Sequence, residues 1–161
     1  TGWPDIEAYS APVEGTAEGI VVIDASGSGI GLAREPIRME VAAGRVTRIE
    51  GGRQAREVER SLREANHAGA FVIAELGIGL NPAALVRGHI IEDEGVYGTA
   101  HIALGNNTNF AGGQNWAPIH FDYVFRDKGA RSVHFLSQLG AREATPMPFG
   151  LASNDRPAPV T

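Results

Sequence analysis

The chain has 161 residues, 14 Lys and Arg against 19 Asp and Glu for a formal net charge of −5, no cysteine, and 43% hydrophobic against 20% charged residues. This is a globular balance, long enough to bury a core, and it excludes wholesale disorder; the missing Cys excludes disulfide scaffolds, thiolate zinc sites, iron–sulfur clusters and Cys nucleophiles. With a single Lys, Lys128, and scattered Arg there is no basic stripe for nucleic acid, and no apolar run reaches the roughly 20 residues of a membrane-spanning helix, so neither partner is expected.

In chain order, the β-branched run Gly19–Asp24 predicts a buried strand. The glycines of Ala25–Leu32 alternate as in a nucleotide loop, but that fingerprint needs a helix to open there, whereas Pro36 and a strand pattern follow; a flexible turn is expected. Residues 37–41 and 45–49 alternate apolar and polar around Ala-Ala-Gly, a hairpin with one wet face. Past Gly51-Gly52 a helix is predicted from about Arg53 to His67, with Ala55, Val58, Leu62 and Ala65 on one stripe and Arg53/Glu57, Glu59/Arg63 and Arg60/Glu64 as i,i+4 pairs outside. Phe71–Gly79 is a strand carrying Glu75 in an apolar run; Asn81-Pro82 breaks it, and 83–91 is a short helix or a turn leading into a strand. The acidic cluster Glu92-Asp93-Glu94 precedes a Gly-rich turn, Thr99–Leu104 is a further strand with His101 and Ala103 on one face, and Gly105–Ala117 is a loop too polar for core. Residues 119–125 form the clearest strand, and 151–161 read as a tail to a single domain of residues 1–150.

On that last strand Ile119, Phe121, Tyr123 and Phe125 point one way and His120, Asp122 and Val124 the other, so an imidazole and a carboxylate project side by side. An exposed polar face opposite an aromatic core produces the same pattern. Glu75 in an apolar strand must be paired or protonated, Arg being one source of a partner, and Glu7 passes by composition as a surface residue. Carboxylates and imidazoles on separate strands, without Cys, suit hard or borderline divalent ions.

The strings Ile73-Ala-Glu-Leu-Gly-Ile-Gly-Leu-Asn-Pro, Glu92-Asp-Glu-Gly-Val-Tyr-Gly-Thr-Ala-His-Ile-Ala-Leu-Gly, Ile119-His-Phe-Asp and Glu7-Ala-Tyr-Ser-Ala-Pro resemble, in order over most of residues 5–125, the aminopeptidase T family of metallopeptidases. Members are about twice this long, and the chain resembles their C-terminal, metal-bearing half; Thr1 in place of Met then marks a processed product, a domain or a fragment. The resemblance implies a two-metal site from Glu7, Glu75, His101, His120 and Asp122, holding two divalent ions (Zn, Co or Mn), with Glu94 a spare candidate for general base. One departure stands out: the family's Tyr beyond the first His is missing from Asn106-Asn-Thr-Asn-Phe.

A second branch of that superfamily, the 2,5-dihydroxypyridine dioxygenases, is also similar and holds one Fe(II) by two His and an Asp. Its His-x-Asp falls on His120 and Asp122, and His67 is a counterpart for its upstream His, although a His at the end of a helix is more readily explained by the helix dipole. Both Glu at matching positions favour the hydrolase, which removes N-terminal residues from peptides by a metal-activated water; the missing Tyr favours the alternative, a ring-cleaving dioxygenase. A metal-binding but inactive domain is a third reading, and Thr1 as an N-terminal nucleophile has no base near it in sequence. The expected protein is a cytoplasmic enzyme, a mixed α+β fold with a largely antiparallel sheet and one main helix at 53–67. Its expected partners are a small peptide or small-molecule substrate, and a second copy or a missing N-terminal half.

Overall fold

The computed structural model describes residues 6–126; Thr1, the end of the 1–150 domain and the 151–161 tail lie outside them. Twelve short elements follow one another: β1 (Glu7–Ser10), β2 (Gly19–Ile23), β3 (Ser26–Gly27), β4 (Gly31–Leu32), β5 (Ile37–Ala42), β6 (Arg45–Glu50), α1 (Arg53–Glu64), a 3-10 turn (Ala68–Phe71), β7 (Ile73–Gly79), α2 (Ile90–Asp93), β8 (Thr99–Gly105) and β9 (His120–Arg126). They build a six-stranded sheet in the order β1-β7-β8-β9-β3-β4 and a three-stranded sheet in the order β2-β5-β6. Every pair of neighbouring strands is antiparallel, giving the mixed α+β class that the sequence predicts.

The predicted β5–β6 hairpin turns at Ala43-Gly44, both at positive φ (47° and 72°), the conformation a two-residue turn needs to follow the strands' twist. Its inner residues Ile37, Met39, Val41 and Val46 meet Val21 and Ile23 of β2, Ala55, Val58 and Leu62 of α1, and Ile73, Ile102, Leu104 and Tyr123 of the large sheet in one apolar cluster. Burying each large side chain there contributes about 1.5–3 kcal/mol, enough to hold the two sheets and α1 together. On the outside of α1 the pairs Arg53–Glu57 (2.7 Å), Glu59–Arg63 (2.6 Å) and Arg60–Glu64 (3.7 Å) form as spaced. Among the described residues no helix is long and apolar enough to cross a membrane.

Five expectations change. α1 ends at Glu64 rather than His67, because Asn66 takes a left-handed conformation (φ 46°) and its N–H turns back to the carbonyl of Arg63. The run from Phe71 is strand only from Ile73, Phe71 closing the 3-10 turn. β2 is an edge strand, buried on one face only, so Ile20 and Val22 stand exposed. The loop Ala25–Leu32 is built rather than slack. Ser26–Gly27 extends the large sheet beside β9, and the buried Gln54 of α1 donates to the carbonyls of Ile30 and Leu32 while accepting from Arg34 N–H. The short helix or turn expected over 83–91 falls later, as a helical turn at 90–93, where Asp93, fully buried, accepts from the N–H groups of Arg87 and Gly88.

Candidate metal centre

With one face of the large sheet committed to the core, the other can carry polar side chains, and strand register decides which ones meet. Glu75 on β7 lies opposite Ala103 on β8, which lies opposite Asp122 on β9; the next row is Gly77, His101 and Val124, and Gly105 faces His120. Large ligand-type side chains thus alternate with Ala103, Gly77 and Gly105, and the small residues leave room for the large ones to converge. A register shift between Ile73 and Glu75 interrupts the alternation, so Ile73 joins the apolar core while Glu75 belongs to the polar face. From the sheet edge β1 adds Glu7, opposite Gly79, and Tyr9, opposite Gly77.

The side chains meet. His120 Nε2 lies 3.1 Å from Glu75 Oε2 and 3.4 Å from Asp122 Oδ1; His101 Nε2 lies 3.5 Å from Glu75 Oε1 and 3.4 Å from Glu7 Oε2. Three sets of ligand atoms, each within 4.8 Å of one another, could hold a cation: Glu7, Glu75 and His101; Glu75, His120 and Asp122; and Glu94, His101 and Asp122. Glu7, which composition alone assigns to the surface, has a side chain only 7% exposed; Glu75 and His101 are more buried still, while His120 (30%) and Asp122 (15%) face the opening.

Charge explains the crowding. Burial works to neutralise His120, but the carboxylates of Asp122 and Glu75 outweigh it and push its pKa up to about 10. Burial likewise opposes charge on His101, yet Glu75, Glu7 and Asp122 raise its pKa. Burial alone would raise Glu75, and the two imidazoles beside it bring it below the ordinary carboxylate value. The carboxyl groups of Glu7, Glu75, Glu94 and Asp122 outnumber the two imidazoles in the three sets, an arrangement that a divalent cation in place of imidazole protons would satisfy.

The two imidazoles differ in their outer partners. His120 Nδ1 donates to the Asn106 carbonyl (2.7 Å), so that Nε2, once it gives up its proton, would turn its lone pair to Glu75 and Asp122, as in a metal-ligating histidine. His101 Nδ1 is buried with no hydrogen-bond partner among the described residues. The Cε1 and Nε2 atoms of its ring sit against Gly77, where an added Cβ would come within 2.1 Å of His101 Cε1. Gly77 is therefore a site residue, and a glycine inside a strand two positions past an acidic residue is the sequence signal for it. Asn106 and Ser28, whose Oγ accepts from Asp122 N–H (3.0 Å), carry no such local signal.

Glu94 caps α2 and falls in one of the three sets, so the candidate base is brought to the site. His67 is not. It lies beyond α1 in extended conformation, accepts from Gly69 N–H through Nδ1 (3.1 Å), packs edge-on against Trp116 (4.8 Å between ring centres) and belongs to none of the three sets. It caps the 3-10 turn rather than the end of α1. Asn107 also departs from expectation, being fully buried within the polar loop.

An antiparallel sheet with one apolar face and one face of clustered carboxylates and imidazoles defines the class, an α+β domain with candidate ligand groups for a divalent cation. Within it the chain belongs to the 2,5-dihydroxypyridine 5,6-dioxygenase (NicX) family, whose model matches residues 1–129. The 2,5-dihydroxypyridine 5,6-dioxygenase of Pseudomonas putida KT2440 is 28% identical over 137 residues, covering 78% of this chain and 39% of that protein. The solved structure of the dioxygenase from that strain superposes with a TM-score of 0.68 at 26% identity, over 78% of this chain and 41% of its own. AmpT of Thermus thermophilus superposes with a TM-score of 0.59 at 22% identity, over 73% of this chain and 32% of its own, which shows a shared fold. The chain thus spans about two-fifths of the dioxygenase relatives it matches. These matches overturn the main reading of the sequence: the hydrolase, metallopeptidase and aminopeptidase assignment gives way to the dioxygenase branch, in line with the missing Tyr.

Proposed function

We propose that this chain is the metal-holding part of an Fe(II)-dependent dioxygenase that opens a hydroxylated pyridine ring, 2,5-dihydroxypyridine being the first candidate. The family match over residues 1–129 carries the reading, and the clustered ligand face supports it. We assign Glu75, His120 and Asp122 as the ligands, Glu75 taking the place of the second His that the resemblance implies, because His67 lies outside the clustered sets. They come from two strands on either side of Ala103, they form one compact set, and His120 alone of the two clustered imidazoles has an outer acceptor for its second ring nitrogen. These three groups would hold Fe(II), which would supply the redox chemistry that lets O₂ react with a spin-paired aromatic ring.

The remaining residues act around that set. His101 lies between Glu7 and Glu75 and offsets their charge, keeping Glu75 aimed at the ligand set. Asn106 fixes the orientation of the His120 ring, and Ser28 braces the backbone at Asp122. Glu94, near His101 and Asp122, is placed to move a proton from a substrate hydroxyl. A second copy of the chain, or the part of the relatives outside the matched two-fifths, completes the substrate pocket in this proposal.

Oxygen uptake by the iron-loaded chain with 2,5-dihydroxypyridine tests the function, run with ¹⁸O₂ and with and without the unmatched part of a relative. The expected result is loss of the aromatic absorbance with both oxygen atoms in the opened product. Stoichiometric iron binding with no uptake under either condition contradicts it and leaves a metal-binding domain.

A further inference from the structure

We infer that Phe110 is a specificity-determining residue of this site, the aromatic surface against which the flat ring of the substrate lies; this rests on the dioxygenase reading. Glu7, Glu75 and His101 are closed off, and the ligand set opens on its His120 and Asp122 side. Phe110 stands over that opening: its ring meets His120 edge-on, 5.5 Å between centres at 72°, and Tyr9 at 5.2 Å and 56°. Because Tyr9 is on β1 and His120 on β9, with β7 and β8 between, Phe110 bridges across the polar face rather than lying beside it.

The ring has no part in the apolar core, being absent from the cluster that joins the two sheets and from its half-buried neighbours. Nor is its position an accident of a slack loop. Buried Asn107 donates to Glu14 and accepts from Asn115 N–H, Asn115 donates to the carbonyls of Gly69 and Gly105, and Phe110 N–H itself bonds back to Asn107 (2.9 Å). Such a clasp holds a half-buried aromatic ring, with the 46%-exposed Tyr9 beside it, at the mouth of a polar cluster. The ligand chemistry that fits is a planar aromatic ring that stacks on Phe110 while a hydroxyl reaches toward Asp122 and His120.

Equilibrium binding of 2,5-dihydroxypyridine to the iron-loaded whole chain without O₂ tests the inference, alongside iron content and KM and kcat with O₂, in Phe110→Leu, Phe110→Trp and the parent. Loss of the aromatic face should weaken ring binding and raise KM by about tenfold in Phe110→Leu, with iron content unchanged and kcat little affected, and Phe110→Trp should bind as the parent does. Equal ring affinity in parent and Phe110→Leu overturns the inference, as does a parent that binds no ring; if O₂ is still consumed, the proposed function survives. Conversely, a parent that binds the ring, weakened in Phe110→Leu, but consumes no O₂ keeps the role of Phe110 and removes the dioxygenase reading.

Discussion

Glu75 touches both imidazoles of the site, and its neighbours set the charge state of the whole cluster. His120, raised from 6.5 to about 10 by Asp122 and Glu75 in spite of burial, gives the metal-free fold stability that is fully present below about pH 6.5 and disappears as pH rises through about 10. Glu75 has a lowered pKa, so its contribution is present above its ordinary value of 4.5 and is lost as pH falls through the folded one. The melting temperature of chelator-treated protein should therefore hold between about pH 4.5 and 6.5 and decline toward pH 10, whereas divalent-ion affinity should rise over that upper range as the ion displaces imidazole protons. A melting temperature flat from pH 6.5 to 10 contradicts this account of the cluster. Residue by residue, the sequence reading named Glu7, Glu75, Glu94, His101, His120 and Asp122, and the structure brings all six into overlapping sets. His67 stays apart, because the chain turns at Asn66 instead of continuing as helix.

At the scale of elements, the site depends on how closely β7 and β8 approach. The His101 ring fits there only because Gly77 has no side chain, and Gly77→Ala would drive a methyl into the ring. The expected outcome is a folded protein destabilised by about 1–3 kcal/mol, with divalent-ion affinity lowered at least tenfold as His101 is pushed from Glu7 and Glu75. Thermal melting and calorimetric metal titration measure both, and unchanged metal affinity would remove His101 from the design. Strands and α1 were legible because their periodicity is local: alternation in 37–41, 45–49 and 119–125, and a 3.6-residue stripe through Ala55, Val58 and Leu62. What escaped was set by partners distant in sequence. The Gln54 clasp on the Ala25–Leu32 loop, the exposed face of edge strand β2, and the pinning of the Asn-rich loop through Glu14 and Asn107, 93 residues apart, leave no local pattern.

For the whole molecule, the sequence resembled two families through the same ligand-type residues, which is why those residues alone did not separate peptide hydrolysis from ring opening. Glu7 and Glu75 weighed toward a two-metal hydrolase only while Glu75 was assumed to have nothing to bind in a one-metal scheme. In the structure it shares a compact set with His120 and Asp122, so a single ion would give it a role. The family match over residues 1–129 then decides the branch, and Phe110 occupies the stretch where the missing Tyr was noted. Metal stoichiometry under anaerobic Fe(II) titration tests the central claim most directly, comparing the parent with Glu75→Gln and His67→Ala. The account predicts one tightly held ion per chain in the parent and in His67→Ala, and at least a tenfold loss of affinity in Glu75→Gln. Iron held equally well by Glu75→Gln, or lost on His67→Ala, would contradict it.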